Sequence, residues 1–207
     1  MTNPDQKREM PRLRLIPRIS DAELLPLLKH VMKAIGWGDP EFHERDPDRG
    51  LPSEFVWWDE ANDRLVSLNF DELVGYSYLF IKGPGAKQFG ALMQDSLPNA
   101  FFPREELFDA LDKSPDNETR KQALSRCLLA APETAEARYL DLFERCLFDP
   151  DRSVRYLGIW CCGYAEWPEL VPLLERVAGA DPEQVLRTHA LDIAKSLAHV
   201  AGRSIVG

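Results

Sequence analysis

The sequence predicts a mainly α-helical protein in which a solenoid of stacked helix pairs follows a small N-terminal α+β region. Helical hydrophobic patterning, interrupted by prolines, runs from about residue 86 to about residue 201. Within it one segment recurs at intervals of 35 and 32 residues, which is typical of a repeat architecture. Before it, residues 55–82 are rich in side chains that favour strands. We therefore expect an N-terminal region over 1–100 and a helical region over 101–207.

The composition is that of a folded, acidic protein. The 207 residues are 44% apolar and 29% charged, and 25 Lys+Arg against 34 Asp+Glu give a formal net charge of -9. This balance argues against a general nucleic-acid binder, because phosphate contacts require clustered basic groups. No apolar run approaches the roughly 20 residues of a membrane-spanning helix, and the first ten residues lack the apolar core of a signal peptide. We expect a cytoplasmic protein with reduced thiols and no membrane contact.

The negative charge is concentrated in one short region. Residues 39–72 hold eleven acidic side chains against three arginines. Residues 1–19 hold five basic side chains against two acidic ones, and residues 111–207 hold 15 acidic against 12 basic ones. The acidic region therefore differs in composition from the helical part that follows it.

The N-terminal region begins with a predicted helix. Ser20 and Glu23 have the spacing of a capping box, and leucines at helical spacing follow until Gly36 ends the segment. Residues 39–53 contain three prolines and many acids, so we predict a loop.

An antiparallel hairpin or meander is predicted across residues 55–82. Phe55–Trp58 is bulky, Asn62-Asp63 has turn chemistry, and residues 65–70 alternate with a period of two. Gly83-Pro-Gly85 ends the run; it lacks the spacing of a phosphate-binding loop and is predicted to be a turn. An alternative is that these aromatic side chains simply cap a helical core.

Seven short helices are predicted after this meander, with prolines at the breaks between them. Their expected ranges are 86–95, 103–113, 117–130, 135–148, 152–165, 168–179 and 183–201.

Three segments of the helical region align without gaps, beginning at Arg120, Arg155 and Arg187. In each, a small residue follows three places later, an aliphatic one four places later and another small one seven places later. An aspartate next to a proline precedes each segment, at Asp116, Asp149 and Asp181. The period and the small-residue ridge describe a solenoid of two helices per unit.

Asp149–Arg155 and Asp181–Arg187 resemble the turn and second-helix start of HEAT repeats, and Leu170–Leu174 resembles the first helix with its internal proline. The resemblance covers about residues 103–201; the first unit departs from it, because Asp116 and Arg120 lie four apart instead of six. It implies a HEAT-like scaffold that binds macromolecules, usually proteins, and it transfers no catalytic residue.

No cofactor, metal or catalytic site is expected from the sequence. The four cysteines form no C-x-x-C, and the four histidines form no H-E-x-x-H pattern. We expect Cys127, Cys146, Cys161 and Cys162 to pack in the core as small apolar side chains.

The acidic region is the first candidate binding site, because aromatic side chains in a charged surround are typical of interface hot spots. Its candidate contacts are Glu54, Trp57, Trp58, Asp59, Glu60 and Asp63. Such a surface favours a basic protein partner, and an inhibitor or immunity protein acting on a basic toxin is one hypothesis. The alternative is that Trp57 and Trp58 divide between core and surface and that the acids only maintain solubility.

A second candidate surface lies on the repeats, with contacts at Tyr156, Trp160, Tyr164 and Trp167. Trp160 and Tyr164 are four residues apart, so a buried pair is the alternative. Two other functions stay open: a HEAT-like enzyme acting on nucleic acid, of the alkylpurine DNA glycosylase type, and a structural or assembly subunit. The glycosylase type needs a basic surface, which the acidic repeats disfavour, and the oligomeric state is open.

Overall fold

The structure is a computed structural model that describes residues 11–44, 53–72, 74–200 and 202. Of the five basic side chains counted over residues 1–19, Lys7 and Arg8 lie outside the described residues. The chain divides into two compact units. The first holds the residues up to Phe70 together with Ser77–Phe102, and the second holds Asp71–Tyr76 and the residues from Pro103 onward.

The first unit contains an antiparallel sheet, for which the described residues provide five strands in the order β1-β5-β4-β3-β2. The strands are β1 Arg12–Leu15, β2 Glu41–His43, β3 Ser53–Asp59, β4 Arg64–Asp71 and β5 Tyr76–Lys82. The meander predicted over 55–82 is confirmed, because β3, β4 and β5 are consecutive neighbours in the sheet. The alternative, in which these aromatics cap a helical core, is wrong.

Two strands were not predicted. Residues 39–53 were expected to be a loop, but they contain β2 and the first residue of β3. β1 lies in the basic N-terminal stretch and pairs with β5, residue Arg12 opposite Lys82. Both extra strands are only three or four residues long, and each is held by backbone pairing with a strand that lies elsewhere in the sequence.

Two helices pack on one face of this sheet: α1, Asp21–Ala34, and α2, Ala86–Ser96. The predicted pairing of Ser20 and Glu23 at the start of α1 is confirmed, since Glu23 Oε2 accepts hydrogen bonds from the Ser20 amide at 3.1 Å and hydroxyl at 2.6 Å. The core between helices and sheet includes Leu24, Leu28, Met32, Trp57, Val66, Leu68, Phe89 and Met93.

The second unit is built from three helix pairs, α3–α4, α5–α6 and α7–α8. The helices are α3 Arg104–Asp112, α4 Asn117–Leu129, α5 Ala137–Leu147, α6 Arg152–Ala165, α7 Val171–Ala180 and α8 Gln184–Val200. The second helices of the pairs also pack against one another, α4 on α6 and α6 on α8, and α5 packs on α7. The sequence predicted each helix to within three residues at either end, and a short 3₁₀ turn precedes α7.

Arginine–aspartate pairs connect successive repeats. Arg120 Nη2 lies 2.8 Å from Asp149 Oδ2, and Arg155 Nε lies 2.7 Å from Asp181 Oδ2. Arg155 also donates to the Asp149 carbonyl at 3.0 Å, and Arg187 donates to the Asp181 carbonyl at 2.7 Å. Arg155 and Arg187 thus each bind a carbonyl in the turn of their own repeat. Arg120 and Arg155 also reach the aspartate of the next repeat.

Small residues let the helices of a pair approach closely. At Gly158 of α6, an added Cβ would lie 3.1 Å from Cys146 Cβ of α5. All four cysteines are buried thiols, as the sequence predicted. Burial raises the pKa of Cys127 and of Cys146 to about 12 and raises the pKa of Cys162 well above its ordinary value. These thiols therefore stay protonated at neutral pH and are poor nucleophiles.

Candidate protein-interaction surface

The outer strands of the sheet carry exposed aromatic side chains among carboxylates. Trp58 of β3 is 56% exposed and Phe42 of β2 is 54% exposed. We call this surface the acidic edge, defined by the side chains of Glu41, Phe42, Glu54, Trp58, Glu60 and Asp63. Phe42 pairs with Phe55, whereas Trp58 alternates with Trp57, so the two exposed rings lie on opposite faces of this edge of the sheet.

The two neighbouring tryptophans of β3 point to opposite faces of the sheet, because successive strand side chains alternate. Trp57 is only 2% exposed and lies in the core beneath α1 and α2. The expectation that Trp57 is a contact residue is therefore corrected, since a partner would touch almost none of its ring. The alternative, in which the two tryptophans divide between core and surface, is correct: Trp57 is buried and Trp58 is exposed.

Asp59 shapes the turn after β3. Its carboxylate accepts hydrogen bonds from the Asn62 amide at 3.2 Å and from Asn62 Nδ2 at 2.8 Å. Asp63 then takes a left-handed conformation with φ of 48°, which is tolerated best by Gly, Asn and Asp. Asp59 is therefore engaged within the chain, whereas Glu60 and Asp63 are exposed on the turn that it holds.

The charge of the acidic edge has one sign. Residues 39–44 and 53–63 together hold seven carboxylates and neither lysine nor arginine. His43 lies between two of the carboxylates, with Nε2 3.6 Å from Glu41 Oε2 and Nδ1 3.7 Å from Glu54 Oε1. Such a surface attracts cations and repels anions over about a Debye length.

The opposite face of the same strands carries a row of phenylalanines. Phe42 lies 4.9 Å from Phe55, and Phe55 lies 5.9 Å from Phe70, measured between ring centroids. Lys29 of α1 lies 5.6 Å above the Phe55 ring. Phe42 therefore extends the apolar face of the sheet to its outer edge, where the ring becomes exposed.

On the repeats, Trp167 is a core residue. It is 2% exposed, and its indole N–H donates to the carbonyls of Pro132 and Glu133 at 3.0 and 3.1 Å. Its ring also contacts Tyr139 and Phe143 of α5. The expectation that Trp167 is a contact residue is corrected, because its ring and its donor are both satisfied inside the unit.

The other three aromatics of the repeat face are half-buried on α6. Tyr156 and Trp160 contact each other and His189 of α8, with centroids 5.3 to 6.1 Å apart. The Tyr164 hydroxyl hydrogen-bonds the carboxylate of Asp71. His189 was missed by the sequence analysis, although the repeat alignment places it in the segment that begins at Arg187.

Among the described residues, no group of histidine, cysteine or acidic side chains has an arrangement that would hold a metal ion. The described helices also include none that is both long enough and apolar enough to cross a membrane.

The helical unit matches a known family. The family model described as HEAT repeats matches residues 104–194, which begin with α3 and end within α8. No curated protein and no solved structure matches the chain significantly. HEAT repeats are modules of the interaction or scaffold type. The resemblance seen in the sequence is thus confirmed: residues 104–194 of this chain are similar to HEAT repeats.

Proposed function

We propose that this chain is a non-catalytic protein-binding module that captures a basic protein at the acidic edge, with the HEAT repeats as a scaffold. The observation that carries the proposal is the exposure of Trp58 on the face of the sheet that also carries Glu41 and Glu54, with the Phe42 ring exposed at the same edge on the opposite face. In its narrower form, the proposal is an inhibitor or immunity protein that acts on a basic toxin in the cytoplasm.

Aromatic rings and carboxylates would contribute differently to such a complex. A buried Trp58 ring would supply apolar area at low entropic cost, which is why tryptophan is enriched among hot spots. The carboxylates would accelerate the encounter with a basic partner and disfavour acidic competitors. The basic side chains of the partner would need to lie around an apolar pocket that receives the Trp58 ring.

The test begins with capture of partners from the source cells on the tagged chain, followed by purification of the basic protein recovered. We expect Trp58→Ala to weaken the affinity for that protein about 30-fold or more, the size of a hot-spot loss, as measured by calorimetry. The matched control is Phe148→Ala, which removes another exposed aromatic ring, 41% exposed, from the HEAT unit. We expect this control to change the affinity less than threefold.

A different pattern would contradict the proposal. If Trp58→Ala binds as tightly as the native chain while Trp160→Ala loses the partner, the complex forms on the face shared by α6 and α8. If the recovered partners are acidic, the charge argument fails whichever face they use.

A further inference from the structure

We propose that the partner docks by strand addition: an extended basic segment pairs with the outer edge of β2 and becomes a sixth strand of the sheet. This inference rests on the function proposed above and specifies how the acidic edge binds. It also predicts the sequence pattern of the segment that is recognised.

The outer edge of β2 is where the described sheet ends. The strand order finishes at β2, and no described strand pairs with its far side. Glu41, Phe42 and His43 are all exposed. Backbone N–H and C=O groups along a sheet edge can pair with an incoming strand, as in several peptide-binding domains.

The register of β2 on β3 gives this edge two chemically different faces. Phe42 lies opposite Phe55, on the apolar face of the sheet. Glu41 and His43 lie opposite Val56 and Glu54, on the other face. A strand added beside β2 would continue the same alternation, because side chains of paired residues lie on one face.

The incoming segment must therefore alternate in chemistry. Every second side chain would face Glu41 and Glu54, where lysine or arginine is favoured. The side chains between them would cover the exposed Phe42 ring, where apolar residues are favoured. The recognised segment is thus predicted to alternate basic and apolar residues.

The negative charge of this edge also disfavours a second copy of this chain as the added strand. Edge-to-edge pairing of two β2 strands would place two acidic edges side by side, and residues 39–44 and 53–63 of neither copy hold a lysine or arginine to pair with their carboxylates. Like charges across paired strands are destabilising. The acids on β2 therefore act against self-association, as charged edge strands commonly do, and favour a basic strand.

The probe is a synthetic peptide of nine residues in which lysine and valine alternate, titrated into the ¹⁵N-labelled full chain. One control peptide has the same composition in two blocks, five lysines and then four valines. Another has the alternating sequence with N-methyl groups on its three central residues, which blocks hydrogen bonding on both edges and keeps every side chain. We expect the alternating peptide to shift the amide signals of Glu41, Phe42 and His43 and to bind at least tenfold more tightly than either control.

Two charge-reversed variants test whether the peptide binds beside β2. We expect Glu41→Lys to weaken binding of the alternating peptide at least fivefold, whereas Glu175→Lys, an exposed position of the HEAT unit, leaves binding unchanged. Both variants change the net charge by the same amount.

The outcomes separate the two proposals. If the block or methylated peptide binds as well as the alternating one, or if the β2 signals do not move, strand addition is overturned and the acidic edge still stands as a docking surface for a folded partner. If the captured partner also binds unaffected by Trp58→Ala, the proposed function itself fails.

Discussion

At the scale of single residues, the ion pair between Arg155 and Asp181 is a buried contact between successive repeats. Only 10% of the Arg155 side chain and 2% of the Asp181 side chain are exposed. Burial by itself would raise the pKa of Asp181, but hydrogen bonds from Arg155 and from the Glu183 amide outweigh it, so the pKa lies below its usual value. The carboxylate is therefore charged at neutral pH and depends on its partner.

We predict that Arg155→Met lowers the free energy of unfolding by about 3–5 kcal/mol, because it leaves a buried carboxylate without its cation. The measurement is urea unfolding followed by circular dichroism. The matched control is Arg176→Met, which breaks a pair with Glu144 whose side chains are 57% and 50% exposed. Such exposed pairs contribute only about 0–1 kcal/mol. Equal losses in the two variants would show that the Arg155 pair is no more important than a surface pair.

Some of these residue contacts could be predicted from the sequence, and others could not. The spacing of Asp149 and Arg155 predicted the repeat turn, because both partners lie close in sequence and repeat. The sequence prediction made both Trp57 and Trp58 contact residues, and it gave their division between core and surface only as an alternative, without indicating which of them is buried. That depends on α1 and α2, which lie far from β3 in the sequence and cover the Trp57 face.

At the scale of elements, helices were predicted more closely than strands. Each helix has its own hydrophobic period and its own stop signals, so its bounds are encoded locally. β1 and β2 lack such signals and exist because β5 and β3 lie beside them. The acidic edge could therefore be predicted only in part: Glu54, Trp58, Glu60 and Asp63 were identified as candidates, but the strand that carries Glu41 and Phe42 was assigned to a loop.

The N-terminus of α6 is held by contacts between residues that are close neighbours in the sequence. The Asp151 carboxylate accepts hydrogen bonds from the Ser153 hydroxyl at 2.6 Å and the Ser153 amide at 2.8 Å. Both bonds lower the pKa of Asp151, from an ordinary 3.8 to about 2, and the bond from the hydroxyl has the larger effect. A depressed pKa means that the charged carboxylate stabilises the folded state above the ordinary pKa and that this stabilisation is lost as the pH falls through about 2.

We predict that Asp151→Ala lowers the melting temperature at neutral pH and that its difference from the native chain shrinks toward pH 2. Asp151→Asn should lose less at neutral pH, because an amide oxygen can still accept at a helix start. Asp192→Ala, which removes an exposed carboxylate of α8, is the control and should have little effect. Melting followed by circular dichroism across this pH range is the measurement; a difference that does not depend on pH would contradict the assigned role of the charge.

At the scale of the whole molecule, the net charge of -9 is a misleading average. Seven of the carboxylates lie in the short segments that form and border the acidic edge, which hold no basic lysine or arginine. Residues 104–194 are acidic too, with 18 acidic side chains against 11 basic ones, but there the two signs are interspersed and several of them pair with each other, as Arg120 does with Asp149. What distinguishes the acidic edge is therefore that its acids have no lysine or arginine among them, and the effect of charge on binding should depend on position.

Reversing charge at two sites separates local from global electrostatics. One variant carries Glu54→Lys, Glu60→Lys and Asp63→Lys; its control carries Glu169→Lys, Glu175→Lys and Asp192→Lys in the HEAT unit. Both change the net charge equally, so any effect of total charge is shared. We predict that the association rate with the basic partner, measured by stopped flow at low salt, falls about tenfold or more in the first variant and less than threefold in the control, since exposed charges act over only about 10 Å at 0.1 M salt. The first variant should also lose most of the salt dependence of the rate. Equal slowing of both variants would mean that the partner responds to the total charge of the molecule, and the acidic edge would then have no special part in the encounter.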